Sequence, residues 1–204
     1  MASTDDRTRP RRVRITGLQE QQLADLIALD HACAAQYHEI GFDAAEVPVR
    51  GAGDFSSLGR RNSVKVAEAD HEVAGFMAWH DEAPGVAYLV DIQVHPDYQR
   101  FGVASALLDA LREEARGHGF GHIVVRCWER APWAMGFYKK QGFQRLDETA
   151  PEKVRGWQEE QAASGRPVTR RGETLLWVTI PPAPHADDDD EEEDDEPPVD
   201  PTEG

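Results

Sequence analysis

The segment HPDYQRFGVASALL, residues 95–108, leaves an apolar strand through Pro96 and sets Gly102 and Ala104 at the mouth of an amphipathic helix. A strand–loop–helix unit aims successive backbone N–H groups at whatever sits above the helix N-terminus, where the macrodipole adds positive potential. Gly102 has no side chain to hold a ligand away from that backbone. This is the chemistry of a phosphate cradle. The segment has no Gly-Lys-Ser/Thr ending, so a Walker-type triphosphate site would lack its lysine and its magnesium hydroxyl. It has no Gly-x-Gly-x-x-Gly either, which sets aside the dinucleotide fingerprint. A pyrophosphate gripped by main chain alone, without metal, remains.

The strand feeding that loop, VAYLVDIQV, carries one carboxylate, Asp91. Alternation predicts Tyr88, Val90, Ile92 and Val94 on one face and Ala87, Leu89, Asp91 and Gln93 on the other. A charge in so apolar a strand is costly unless something pairs with it. Asp91 therefore needs a partner, and Arg126 on a neighbouring strand is the candidate for a buried ion pair. Cys33 and Cys127 stand in no metal-binding spacing, and His31 and His38 lack a third ligand, so no metal is expected. Cys127 reads as a buried, inert thiol.

The elements that position these groups are set by periodicity. RVRIT alternates as a first strand, with Thr16 placed to cap the helix after it. LQEQQLADLIALDHACAAQYHE has helical spacing, whereas IGFDAAEVPVRGAGDFSSLGR predicts short turns and loop. SVKVAEAD and EVAGFMAWHD form a hairpin about Asp70-His71, and GVAYLVDIQVH is the next strand. The helix after the cradle buries Val103, Leu107, Leu108 and Leu111 and shows Asp109, Arg112 and Glu113 to water. A strand at HGFGHIVVRCW leads to a helix at APWAMGFYKKQ, with Pro132 in its first turn and Gly142 ending it. GFQRLD starts a strand, APEKVRGWQEEQAAS is helical, and GETLLWVTI is the last strand. The order implies an α/β or α+β domain with a mixed sheet.

At 204 residues the chain has room for one substantial core. Its net charge of −16 is concentrated: twelve of the acids lie between Asp187 and Glu203, leaving −16 + 12 = −4 elsewhere. That run, flanked by prolines, is expected to be a disordered tail over 182–204, serving either as a solvating segment or as a docking arm for a basic partner. Residues 1–10 read as a flexible N-terminus and 11–181 as the folded domain. No signal peptide, membrane span or basic stripe is evident, so a cytoplasmic protein that binds neither membrane nor nucleic acid is expected. Free edge strands leave room for a homodimer.

With these segments in order, the chain resembles the GCN5-related N-acetyltransferases. QRFGVA, Gln99 to Ala104, is similar to the Gln/Arg-x-x-Gly-x-Gly/Ala signature that binds the pyrophosphate of acetyl-coenzyme A. VDIQVHPDY precedes it as that family's fourth strand does, and GFYKKQGF comes after the fifth strand as its Phe-Tyr-x-x-x-Gly-Phe segment does. The resemblance spans roughly Val13 to Ile180. It implies a single domain with a mixed, mostly antiparallel central sheet flanked by helices, acetyl-coenzyme A as cosubstrate, and direct transfer to a primary amine. CWERAPWAMGFY lacks the Asn that often stands after the fifth strand, and Ala104 replaces the second glycine.

By that resemblance, Gln99, Arg100, Phe101, Gly102, Val103 and Ala104 cradle the pyrophosphate. Ile92, Gln93 and Val94, at a bulged strand end, pair with the pantetheine amides and polarise the thioester carbonyl. Tyr138 is the general acid for the departing thiolate, since a phenol stays protonated at neutral pH. Phe137 and Phe143 pack the helix. Asp91 is an amine anchor or base, or else a structural pair. Glu68 is a further candidate base acting through water, and Glu129 and the His38-Glu39 pair are weaker candidates. Trp128 and Trp133 are candidates for an aromatic acceptor wall, while Trp79 fills core. Asp81, Glu82 and Glu129, if near the mouth, favour a small cationic amine; a protein α-amine or lysine fits the chemistry as well. The rival class is a non-catalytic acyl-coenzyme A sensor or scaffold of the same fold.

Overall fold

The computed structural model describes residues 12–165 and 169–182. Seven strands alternate with five helices: β1 (Val13–Gly17), α1 (Leu23–Glu39), α2 (Ala52–Arg61), β2 (Ser63–Ala69), β3 (Glu72–Ala83), β4 (Val86–Val94), α3 (Val103–Gly117), β5 (His122–Trp128), α4 (Pro132–Lys140), β6 (Gln144–Arg145), α5 (Glu152–Ala163) and β7 (Glu173–Thr179). They form one sheet in the order β1-β2-β3-β4-β5-β7-β6. Every pairing is antiparallel except β4 with β5. The acidic run Asp187–Glu203 and the first ten residues lie outside the described residues. Among the described residues no helix is long and apolar enough to cross a membrane.

Each face of the sheet is covered. On one side α3 buries Leu107, Leu108 and Leu111 completely, against Met77 and Leu89. On the other, Leu26 and Leu29 of α1 and Phe55 of α2 pack on Val66 and Phe76, and Val154 and Trp157 of α5 pack on Tyr88 and Val124. Val66/Ala67, Phe76/Met77 and Tyr88/Leu89 are adjacent residues divided between the two sides, as a pleated strand requires.

The turn at Asp70-His71 holds both residues at positive φ, 51° and 72°, which suits the twist of a two-residue hairpin. Pro132 stands at the start of α4. Gly142, at φ 84°, ends it while the Phe143 N–H donates to the Tyr138 carbonyl at 3.0 Å.

Four details differ from the sequence expectation. Thr16 lies inside β1 and caps nothing; the entry to α1 is a 3₁₀ turn, Glu20–Gln22, where the Gln22 side chain accepts the Gln19 N–H at 3.0 Å. Residues Ala52–Arg61 form a ten-residue helix rather than short turns. Its Gly- and Ser-rich sequence is a poor helix former, and the fully buried Phe55, edge-on to Phe76 at 5.4 Å, outweighs that weakness. β6 is only two residues long.

The fourth difference reaches the site. Asp91 pairs with Ala78 and Leu89 with Trp79, so Val90 is an extra residue in β4 and the bulge sits there, not at Ile92–Val94. The alternation read from sequence is broken at that point. Leu89, Ile92 and Val94 join the α3-side core, and Asp91 turns to the α1 side.

Candidate active site

β4 and β5 run parallel only from Val86/His122 to Leu89/Val125, yet β4 continues to Val94 and β5 to Trp128. Beyond Leu89 the two strands splay, and the β5-facing edge of β4 has no strand beside it. Such an edge can pair with the amides of an extended ligand.

The far end of β4 leads into the cradle. A 3₁₀ turn at Pro96–Tyr98 precedes Gln99, whose side-chain amide donates to the Val94 carbonyl at 3.1 Å and to Gln36 of α1 at 2.8 Å. Arg100 and Gly102 both have positive φ, 68° and 86°, on either side of Phe101. Left-handed residues interleaved with ordinary ones curl consecutive N–H groups into an anion-binding concavity. Gly102 is the N-cap of α3, and its backbone angle is what calls for glycine, since a Cβ there would meet nothing within 4 Å. The first turn of α3 contains no acidic residue, and Val103 anchors it in the core at 1% exposure. The residues present therefore fit a diphosphate held by main chain.

Tyr138 lies on α4, buried between Phe137 and Phe143, whose ring centroids are 5.3 and 5.1 Å away. Burial pushes its hydroxyl well above the ordinary phenol range, and the charge of Asp91 acts in the same direction.

Asp91 does not pair with Arg126. Arg126 turns to Glu173 at 4.0 Å and to the ring of Tyr88, and the cation on Asp91 is Arg50, from the loop between α1 and α2, at 2.7 Å. The same guanidinium binds Asp30 of α1 at 2.5 Å, and the Arg50 N–H donates to the other oxygen of Asp30. The Gln93 amide donates to both carboxylates at 3.1 Å, and its Oε1 is buried without a partner. Burial raises the Asp91 carboxyl above its usual range, with Arg50 opposing. Two carboxylates around one guanidinium leave a net charge of −1. Neither Asp30 nor Arg50 was marked by sequence; nothing in PVRGAG signals a buried cation.

Glu68 is not brought to this group. It sits on β2, separated from β4 by β3, where Arg14 binds it at 2.5 Å and Gln22 donates to it at 2.8 Å. The hydrogen bond from Arg14 holds its carboxyl below the usual range, which makes it a poor base. Asp81 and Glu82 lie at the opposite end of the sheet from Val94, since Asp81 pairs with Ala87, and Glu82 is taken by His80 at 2.5 Å. Glu129 does stand just past the mouth end of β5 but is neutralised by Arg145 at 2.5 Å. The acids that favour a cationic acceptor in the sequence are thus remote or paired. Trp79 is a core residue whose indole donates to Glu114 at 3.1 Å.

An aromatic cluster gathers at the end of β5. Tyr37 stands edge-on to Phe42 and Trp133, and Phe42 edge-on to Trp128, all with centroids 5.1–5.4 Å apart. Arg130 covers Phe42 at 4.1 Å. Cys127 is buried and its thiol is pushed up to about 12, as expected of an inert sulfhydryl.

A strand pair that splays beside a main-chain anion cradle is the arrangement that the resemblance to acyl-coenzyme A-dependent transferases implies. The sequence model of the acetyltransferase (GNAT) family matches residues 29–143, and the chain belongs to that family, whose cosubstrate is acetyl-coenzyme A. Solved structures share the fold. The ribosomal-protein-S18-alanine N-acetyltransferase of Escherichia coli superposes with a TM-score of 0.58 at 19% identity, over 86% of this chain and 98% of that one. The paia N-acetyltransferase of Thermoplasma acidophilum, in complex with coenzyme A, gives 0.63 at 14% identity over 82% and 99%. N-acetylglutamate synthase of Neisseria gonorrhoeae gives 0.58 at 18% identity, over 83% of this chain and 35% of that one.

Proposed function

We propose that the protein transfers an acetyl group from acetyl-coenzyme A to a primary amine by direct attack, with Tyr138 as general acid and Asp91 as amine anchor and base. The observation that supports this reading is the splay of β4 from β5 past Leu89/Val125, leading into the positive-φ loop at Arg100–Gly102, with the buried Tyr138 on the helix that follows β5. When bound, acetyl-coenzyme A supplies a thioester already activated for acyl transfer. Main-chain groups from Gln99 to Ala104 hold its diphosphate, and the free edge over Ile92, Gln93 and Val94 orients the arm.

The acceptor arrives as an ammonium, drawn by the uncompensated charge of the Asp30–Arg50–Asp91 group and by the lone pairs of Gln93 Oε1. Asp91, its carboxyl raised by burial, takes one proton and passes it to solvent. The C–N bond forms as the C–S bond breaks. Tyr138 gives its proton to the departing sulfur and recovers one from the amine nitrogen, so the amine loses two protons, the thiol gains one and solvent gains one. A phenol held above its usual range keeps its proton until the sulfur needs it. Cys127 plays no covalent part.

The test is to mix the protein with acetyl-coenzyme A and a panel of primary amines and monitor free thiol. Amine-dependent thiol release supports transfer; tight coenzyme A binding with no release from any amine would identify a sensor of the same fold.

A further inference from the structure

A cavity of about 700 Å³ opens beyond the aromatic wall, lined among others by Asp43, Glu46, Trp128, Arg130, Arg170 and Arg171. Its charges do not cancel. Asp43 is turned to its own loop, accepting the N–H groups of Ala45 and Glu46 at 2.9 and 2.8 Å, and its charge offsets one arginine at most. Glu46 is spent on Arg130, at 2.9 Å. That leaves Arg170 and Arg171, both exposed, whose guanidinium groups have no ion-pair or hydrogen-bond partner among the described residues. The two stand where the chain enters β7, and Gly172 after them has φ 87° and backs onto the Trp128 ring. Trp128 ends β5 three residues past Val125, and Asp91 lies two past Leu89, the partner of Val125. Because Val90 is a bulge residue, Asp91 stands effectively one step past Leu89, and at about 3.3 Å per residue the cavity wall lies about 7 Å further along the strands than Asp91.

We infer that the acceptor carries a carboxylate as well as its amine: Arg170 and Arg171 hold the carboxylate, Trp128 supports the body, and the amine points to Asp91. The guanidinium fork suits a planar carboxylate, and a small amino acid or a close analogue supplies both groups on one molecule. The inference rests on the acetyl-transfer reading above and narrows its acceptor from a simple cationic amine to a zwitterion.

The experiment uses the full chain and matched pairs, each an amino acid and its carboxamide. The amide's amine is the less basic, so intrinsic reactivity favours the amide and a preference for the acid reports recognition. Wild type should favour the acids by at least about tenfold in kcat/KM, through KM. The double variant Arg170→Ala/Arg171→Ala should lose that preference, its kcat/KM for the acids falling about tenfold or more relative to the amides. Calorimetry with the N-acetylated acids and amides reads the same difference without turnover. Equal rates and equal binding for acid and amide would overturn the inference, as would a preference that survives the double variant. Carboxylate-dependent binding with no thiol release from any pair would overturn the transfer reading instead and leave this site standing.

Discussion

Nη2 of Arg50 lies 2.7 Å from Oδ2 of Asp91, while Nη1 of the same guanidinium lies 2.5 Å from Asp30. One cation from a loop thereby fastens α1, the α1–α2 connection and the bulged stretch of β4 at a single point. The side chains are only 28%, 3% and 19% exposed, respectively for Arg50, Asp30 and Asp91, so the interaction is weakly screened.

Arg50→Gln removes the cation and leaves two carboxylates facing each other in the interior. A cost of about 3 kcal/mol, or roughly 10 °C in Tm, is expected. The sign with pH is fixed by the carboxyls. In the variant the Asp91 carboxyl, already raised by burial, loses the opposing cation and its folded pKa rises further above the unfolded value, so the folded state holds an extra proton between the two and stability falls as pH rises through that window. Thermal melts should therefore show a larger deficit at pH 8 than at pH 5, and the acid limb of kcat/KM should move to higher pH. A deficit of equal size at both pH values would mean that Arg50 acts by packing on Phe55 and Phe76 alone.

Tyr138→Phe keeps the ring between Phe137 and Phe143 and removes only the proton donor. Turnover should fall about a hundredfold or more, while coenzyme A affinity by calorimetry stays within about twofold. In the wild type, loss of the Tyr138 proton should give no alkaline limb below about pH 10, because burial moves that group upward from the ordinary phenol value. A variant that turns over normally would assign the proton to another donor.

The two left-handed residues of the cradle allow its backbone to be tested by a pair of opposite substitutions. Gly102→Ala forces a Cβ into φ 86°, at a cost of about 1–2 kcal/mol. Coenzyme A affinity should fall about tenfold if the loop relaxes to relieve it. Arg100→Gly relaxes the same kind of strain at φ 68° and should hold affinity or raise stability slightly. If Arg100→Gly weakens coenzyme A as much as Gly102→Ala does, the arginine side chain and not the main chain carries the grip.

The cradle was legible because its determinants are local: Pro96, Gly102 and the apolar spacing of α3 act within one strand–loop–helix unit. The seven strands were legible for the same reason, since alternation is a property of each segment. Asp91 was recognisable as anomalous, but its partner was not, because Arg50 is brought to it by tertiary folding of a loop with no periodic signal. The bulge at Val90 was invisible to alternation, which assumes an unbroken pleat; one extra residue moved Ile92 and Val94 to the α3 side and sent Asp91 to the other. Glu68 looked available because sequence shows no pairing across strands, and Arg14 lies directly opposite it in the β1–β2 register. The arginine-lined cavity draws on residues from three separate stretches of chain, which no motif records.

Gly75 is a position the sequence does not mark, and the sheet depends on its missing side chain. It pairs with Val94 of β4, and a Cβ built there would stand 2.7 Å from the Gln93 carbonyl oxygen and 3.2 Å from Val103 at the start of α3. Backbone and a fully packed side chain cannot both yield, so Gly75→Ala must push β4 or lift the first turn of α3. Overpacking of this kind costs about 1–3 kcal/mol. Because the displaced atoms lie on either side of the cradle, coenzyme A affinity should weaken in the same variant. Gly117→Ala is the control: it sits at the end of α3 with nothing within 4 Å of a new Cβ and should be neutral or slightly stabilising. Chemical denaturation and calorimetry on the two variants check both effects. A Gly75→Ala protein as stable as the wild type, with its coenzyme A affinity intact, would mean that β3 does not approach β4 this closely beneath the cradle.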